Sequence, residues 1–176
     1  MTVGHSEGRS ALVTVRPMTA DEFDNWRERS IRGFADDFAL ATGRHVEAAA
    51  EHSRGLFGKL LPDGLDTDGT WLLKVLDETR TEVGTLWVGP HPERTDTAYV
   101  YDIEILETHR GRGLGRAAMT AAERLVGDAG IGEIGLNVFG FNVAARRLYD
   151  SLGYRVVATQ MAKSLARTRP EIPTVG

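Results

Sequence analysis

The 176-residue sequence contains no cysteine. This absence excludes a thiol nucleophile, a disulfide framework and thiolate metal ligands. Histidine is also scarce, and the five histidines form no His-x-x-x-His or Glu-x-x-His pair. The two that lie nearest in sequence, His45 and His52, are seven positions apart. We therefore expect neither a metal site nor covalent catalysis through an acyl-cysteine.

The sequence also lacks an excess of positive charge and any long apolar run. It has 21 basic and 25 acidic residues, which gives a formal net charge of −4 and argues against a nucleic-acid-binding surface. No segment approaches the length of a membrane span, and residues 1–10 have no apolar signal core. With 41% hydrophobic and 26% charged residues, the composition predicts one globular domain without a membrane partner, located in the cytoplasm.

The most informative stretch is residues 103–116, where a strand pattern gives way to a basic glycine-rich loop and then to a helical pattern. Glycines at alternate positions let the backbone approach a ligand closely. The first amides of the following helix have no partner within the helix and lie at the positive end of its dipole, which favours a bound phosphate. The residues concerned are Arg110, Gly111, Arg112, Gly113, Leu114, Gly115 and Arg116.

Two common phosphate motifs do not match this loop. A P-loop requires Gly-x-x-x-x-Gly-Lys followed by serine or threonine, and the sequence contains no such string. A dinucleotide-binding fingerprint requires Gly-x-Gly-x-x-Gly in the first strand-helix unit, whereas here the third glycine comes one residue early and the loop lies past mid-chain. A nucleotide-dependent oxidoreductase is thus disfavoured, and a test of pyridine dinucleotide binding would distinguish it.

The remaining sequence alternates between strand and helix patterns. Thr19 and Glu22 form a capping box before the first helix, and Asn142 is a suitable N-cap for the last one. In the strand before the glycine loop, alternation predicts one face with Tyr99, Tyr101, Ile103 and Ile105 and another with Val100, Asp102, Glu104 and Leu106. Predicted strands are 11–16, 70–76, 82–89, 98–106, 133–139 and an extended segment 154–165; predicted helices are 19–41, 46–61, 114–129 and 142–152.

Two motifs in this order resemble those of the GNAT N-acetyltransferases. Arg110, Gly113 and Gly115 match the signature Arg/Gln-x-x-Gly-x-Gly/Ala of the acyl-CoA site. The segment 142–154 is similar to the second hallmark, Asn-x-x-Ala-x-x-Leu-Tyr-x-x-x-Gly-Phe/Tyr. The resemblance implies an α/β protein of the α+β kind, with a mixed, mostly antiparallel sheet of six to seven strands and about four helices. It covers one domain, 11–165, between a loose leader, 1–10, and a flexible tail, 166–176.

The resemblance also implies how acetyl-CoA is held, as a co-substrate and without a metal. Its pyrophosphate would lie on the amides from Gly111 to Arg116, after the signature Arg110. Its pantetheine arm would pair like an extra strand with the backbone of Ile103 and Ile105. Asn142 matches the asparagine that contacts the arm, although its role as an N-cap is an equally good interpretation.

Two residues are the candidates for catalysis. Tyr149 matches the family tyrosine that protonates the departing CoA thiolate, and core packing is the alternative interpretation. Glu104 is our candidate for the base that deprotonates the acceptor amine, with Asp102 behind it, and pairing with a neighbouring arginine is the alternative. Many family members carry a glutamate on the next strand, where this sequence has Asn137.

We therefore expect an acetyl-CoA-dependent N-acetyltransferase that transfers the acetyl group directly to a primary amine of a small molecule or peptide. The alternative is a GNAT-fold sensor that binds acyl-CoA without turnover. A homodimer is compatible with either. The aromatic residues Phe23, Trp26, Phe34 and Phe38 form either an apolar entrance for the acceptor or part of the core.

Overall fold

The computed structural model describes residues 11–163. The leader predicted at 1–10 and the tail predicted at 166–176 lie outside the described residues. The elements, in chain order, are β1 (Thr14–Pro17), α1 (Ala20–Thr42), α2 (Val46–Leu60), β2 (Trp71–Leu76), β3 (Glu82–Pro90), β4 (Thr97–Ile105), α3 (Leu114–Asp128), β5 (Glu133–Leu136) and α4 (Val143–Ser151).

The strands form one sheet in the order β1-β2-β3-β4-β5. The first four strands pair antiparallel, and β5 pairs parallel with β4. The mixed, mostly antiparallel sheet and the four helices were predicted correctly, but the described residues contain five strands instead of six to seven. Within 154–163 no strand forms; residues 155–163 are exposed, Val156 and Val157 among them, so the segment buries little apolar surface that would hold it against the sheet.

Local capping explains where α1 begins and ends. In α1 the Thr19 side chain accepts a hydrogen bond from the Glu22 amide and the Glu22 carboxylate accepts one from the Thr19 amide, so the predicted capping box is present. The helix ends at Gly43, which has a left-handed φ of 68°. Across residues 11–163, none of the helices has the length and apolar character needed to cross a membrane.

The sheet separates two hydrophobic cores. Helices α3 and α4 cover one face, where Met119, Val126 and Tyr149 pack on the inward residues of all five strands. Helices α1 and α2 cover the other face, around Trp26 and Trp87. Phe23 and Trp26 belong to this second core, whereas Phe34 and Phe38 lie at its margin, half-buried. The predicted aromatic group therefore divides into core and margin.

A β-bulge in β4 changes which residues face each core. Trp87 of β3 lies opposite Asp102 and Val88 lies opposite Val100, so Tyr101 is an extra residue in β4. One extra residue reverses the alternation beyond it. Consequently Val100 packs in the α3/α4 core together with Ile103 and Ile105, while Tyr101 packs in the α1/α2 core. The two-faced pattern predicted without the bulge is wrong for Tyr101 and Val100, but it correctly groups Asp102 with Glu104.

Close backbone packing also occurs beside this strand. Gly84 of β3 lies so near β4 that a Cβ at this position would come within 2.1 Å of the Glu104 carbonyl oxygen. No side chain fits at that distance without moving the backbone. Gly84 therefore allows β3 and β4 to approach each other directly beneath Glu104.

Candidate active site

The three glycines at and just before the start of α3 serve different structural purposes. Gly111 and Gly113 have positive φ values of 74° and 78°, a conformation that other residues adopt only with strain. Gly115 lies within the helix, where a Cβ would come within 3.3 Å of the Leu148 Cδ2 atom of α4. Two glycines therefore shape the loop, and the third allows α3 and α4 to pack closely.

The N-terminus of α3 differs from those of α1 and α4 because no side chain caps it. Its N-cap residue is Gly113, which has no side chain, whereas Thr19 caps α1 and Asn142 caps α4. Among residues 11–163, no side chain thus bonds to the first amides of α3, which suits them to bind an anion. This arrangement fits the pyrophosphate group that the resemblance implies.

The loop arginines point in different directions. The Arg110 Nε atom donates to the Ile105 carbonyl at 3.0 Å, and the Arg116 guanidinium donates to Ser151 at the end of α4. Arg112 acts on Asp77 through its charge. The pKa of Asp77 is lowered mainly by a hydrogen bond from Thr79, and the charge of Arg112 lowers it further. Two of the three arginines thus have structural partners, so the backbone amides are the stronger candidates for phosphate binding.

A gap between β4 and β5 begins beside the bulge. The two strands pair only from Thr97 to Val100 and from Glu133 to Leu136. Beyond Val100, β4 continues to Ile105 with β3 on one side and without β5 on the other. The predicted strand 133–139 is therefore too long, because β5 loses its partner after Leu136. The resulting gap lies where the resemblance implies a slot for the pantetheine arm.

The backbone of β4 faces this gap at two residues. The Leu106 amide donates to the Val83 carbonyl on the β3 side. Since backbone groups alternate along a strand, those of Ile105 and Ile103 point to the opposite side, toward the gap. The Ile105 carbonyl is already bonded to Arg110, so Ile103 offers both of its backbone groups and Ile105 offers its amide.

Asp102 is a carboxylate held between the sheet and α1. Its Oδ2 atom accepts hydrogen bonds from Trp26 Nε1 and from Ser30 Oγ, each at 3.1 Å. Desolvation is the main cause that raises the pKa of Asp102, and the charge of Glu104 raises it further, while the two hydrogen bonds oppose this effect. Trp26 and Ser30 are functional neighbours that the sequence analysis missed, although their spacing of four residues places both on one face of α1.

Replacing Asp102 by asparagine is expected to stabilise the fold at neutral pH. A raised carboxyl pKa means that the folded state binds this proton more strongly than the unfolded state, so stability falls as the pH rises above about 3.9. Asp102→Asn removes the buried charge, and a gain of about 1 kcal/mol would raise the melting temperature by roughly 2–4 °C. The gain should disappear below about pH 4, where the aspartate is protonated in both states.

Melting curves from pH 3 to pH 8 would measure this effect. Asp24→Asn is the matched control, because it removes the same charge from an exposed position on α1. A lower melting temperature for Asp102→Asn at neutral pH, with no change for Asp24→Asn, would contradict the expectation.

Tyr149 packs in the α3/α4 core. Its side chain is 9% exposed and its ring centroid is 5.8 Å from that of Tyr154. Desolvation raises the pKa of Tyr149, and the charge of Asp102 raises it further. The phenol therefore stays protonated at neutral pH and is able to donate a proton.

Glu104 lies two residues beyond Asp102 and is half-buried. None of the ion pairs found within residues 11–163 includes it, so the predicted alternative of pairing with an arginine is not seen there. Its direct neighbour across the sheet is Thr85 of β3. The carboxylate is thus available to a bound molecule.

Asn142 serves as the N-cap of α4. Its Oδ1 atom accepts a hydrogen bond from the Ala145 amide at 3.1 Å and caps α4. Its Nδ2 group is still a possible donor to a ligand. In the part of the chain that the structure describes, no group of three or more His, Asp or Glu residues could hold a metal ion.

Comparison with known proteins agrees with this geometry. The model of the Acetyltransferase (GNAT) family matches residues 31–154. An uncharacterized N-acetyltransferase of Bacillus subtilis, YycN, is 30% identical over 154 residues, which cover 87% of this chain and 99% of that protein. Its crystal structure superposes with a TM-score of 0.82 and covers 88% of this chain and 99% of that one.

A second group of relatives is larger than this chain. The mycothiol acetyltransferase of Rhodococcus opacus is 29% identical over 179 residues, which cover 93% of this chain but 59% of that protein. A more distant structure, AAC(6')-Iy in complex with the bisubstrate analogue CoA-S-monomethyl-acetylneamine, is 14% identical with a TM-score of 0.55 and shows a shared fold. The family match and the YycN similarity establish that this chain belongs to the GNAT family and is an N-acetyltransferase.

Proposed function

We propose that the protein transfers the acetyl group of acetyl-CoA directly to a primary amine of a small molecule or peptide. The observation that carries this proposal is the end of the β4–β5 pairing at Val100 and Leu136, which leaves the part of β4 with Asp102 and Glu104 without β5 beside it. The glycine loop and the N-terminus of α3 follow this part of β4 directly in the chain. The candidate proton acceptor and the candidate anion-binding loop are thus parts of one continuous segment.

The backbone provides most of the co-substrate site. The amides of the segment from Gly111 to Arg116 bind the pyrophosphate, and those of Ile103 and Ile105 hold the pantetheine arm. Asn142 supports the arm through its Nδ2 group. Because main-chain groups make these contacts, the site depends more on backbone conformation than on the loop arginines.

Glu104 and Tyr149 perform the proton transfers. A primary amine with a pKa near 10.4 is mostly protonated at pH 7, so Glu104 first accepts a proton from the acceptor ammonium. The freed nitrogen lone pair forms a bond to the acetyl carbonyl carbon as the carbon–sulfur bond breaks, and the nitrogen releases its second proton to solvent to give the neutral amide. Tyr149 donates its proton to the departing sulfur and is then reprotonated from solvent.

Release of free CoA in the presence of an amine panel tests this function. The panel contains amino acids, polyamines, aminoglycosides and peptide N-termini, and the acetylated product is identified by mass. Amine-dependent CoA release supports the proposal. Binding of acetyl-CoA without release for any amine would instead favour the non-catalytic sensor.

Gly113→Glu is expected to abolish the stabilisation that acetyl-CoA gives. Binding at a hundred times the dissociation constant adds about 2.7 kcal/mol, or roughly 5–10 °C in melting temperature. Glutamate at Gly113 adds bulk and negative charge at the N-terminus of α3, where it repels the pyrophosphate.

The matched control is Gly130→Glu. Gly130 has a φ of 79°, nearly the same as the 78° of Gly113, but it lies beyond the opposite end of α3. The control therefore introduces the same strain and charge away from the proposed site, and it should keep the full shift. A Gly113→Glu variant that melts higher with acetyl-CoA, as the wild type does, would place the binding site elsewhere.

A further inference from the structure

A row of polar side chains crosses the sheet beneath α1 and ends at Glu104. Arg16 of β1 lies opposite Lys74 of β2, Lys74 lies opposite Thr85 of β3, and Thr85 lies opposite Glu104 of β4. Neighbours in the strands, such as Val75 and Leu86, point into the α3/α4 core. The polar row therefore faces α1 and α2, on the same side of the sheet as Asp102.

Thr85 is unusual within this row. It is 1% exposed, and its Oγ1 atom has no hydrogen-bond partner among the described residues. A buried hydroxyl without a partner lowers stability, and a valine of the same shape would avoid that loss. The hydroxyl is thus better explained by a partner that it gains when the site is occupied.

Only one of its two cross-strand neighbours is able to accept its hydrogen. Lys74 is buried, its Nζ atom lies 2.6 Å from Glu82 Oε1, and an ammonium group donates but never accepts. Glu104 has a carboxylate with free lone pairs, and directly opposite residues have Cβ atoms about 4.5–5.5 Å apart. Of these two neighbours, only Glu104 is therefore able to accept the hydroxyl hydrogen of Thr85.

We propose that Thr85 is a positioning residue, whose hydroxyl donates a hydrogen bond to the Glu104 carboxylate and holds it where it accepts the proton of the acceptor ammonium. This inference rests on the proposed function of Glu104. The two carboxylates at the gap then have separate donors, since Asp102 is held by Trp26 and Ser30 on α1. Each carboxylate is fixed by a different element.

Two substitutions at this position separate the hydroxyl from the shape of the side chain. Thr85→Val keeps the shape and removes the donor, so we expect kcat to fall about tenfold, with an unchanged KM for acetyl-CoA and an equal or higher melting temperature. Thr85→Ser keeps the donor and loses a methyl group, so it should melt lower but keep kcat within about twofold. A purely structural threonine would give the opposite order of activities.

Steady-state kinetics of Thr85→Val, Thr85→Ser and Glu104→Gln, measured with the best amine of the panel, test the positioning role. If Thr85→Val keeps its kcat while Glu104→Gln loses activity, the positioning role is wrong and the base is still supported. If Thr85→Val and Thr85→Ser lose kcat equally, the residue acts through packing, and the inference is again overturned. If Glu104→Gln itself keeps wild-type kcat, Glu104 is not the base and both proposals fail.

Discussion

Replacing Tyr149 by phenylalanine is expected to lower turnover by roughly 10²-fold or more while acetyl-CoA affinity changes little. The change removes one hydroxyl and keeps the ring in the α3/α4 core. Without a proton donor, the departing thiolate leaves as an anion in a partly desolvated site. Single-turnover measurements, in which chemistry limits the rate, give the cleanest comparison.

Tyr154→Phe is the matched control for this experiment. Its ring packs 5.8 Å from that of Tyr149, so the same chemical change is made in the same cluster. We expect this variant to keep its turnover, because no step is assigned to Tyr154. Equal losses in the two variants, or near wild-type turnover in Tyr149→Phe, would reject Tyr149 as the acid.

Replacing Glu104 by glutamine is expected to cause a loss of similar size, roughly 10²-fold at pH 7. The amide keeps the shape of the side chain but is unable to accept a proton from the ammonium. The loss should become smaller as the pH approaches the pKa of the amine, near 10.4, because the acceptor then arrives deprotonated. Rates measured from pH 6.5 to pH 9.5 would show this convergence.

Asp102→Asn is the comparison that separates the two carboxylates. The Asp102 Oδ2 atom accepts its two hydrogen bonds from α1, and an asparagine oxygen is able to accept the same bonds from Trp26 and Ser30. We expect its loss of turnover to stay below about tenfold, since it acts on the base and the acid only through its charge. The reverse order, with Asp102→Asn more impaired than Glu104→Gln, would assign the base to Asp102.

Features determined by local sequence could be predicted well. The Thr19 capping box, the Asn142 cap and the loop glycines depend on residues within four positions of each other, and all three features are present. Spacing along the chain was therefore sufficient to locate the glycine loop before α3 and the helix that carries Tyr149. The family resemblance then gave these residues expected roles.

Features determined by strand pairing could not be predicted. The bulge at Tyr101 appears only when β4 is aligned with β3, and it reverses the faces that simple alternation assigns. Trp26 and Ser30 reach Asp102 from 76 and 72 positions away. Thr85 is a neighbour of Glu104 only through the register of two strands. The environment of the two candidate carboxylates is thus a property of the assembled sheet.

The close approach at Gly84 restricts how the enzyme could be engineered for new acceptors. Because a Cβ would come within 2.1 Å of the Glu104 carbonyl, side-chain diversity at this position would move the main chain that carries the base. A mutant library for acceptor specificity should therefore keep position 84 as glycine. Diversity is better placed at Phe34 and Phe38, which are half-buried on α1, because substitutions there do not displace a strand.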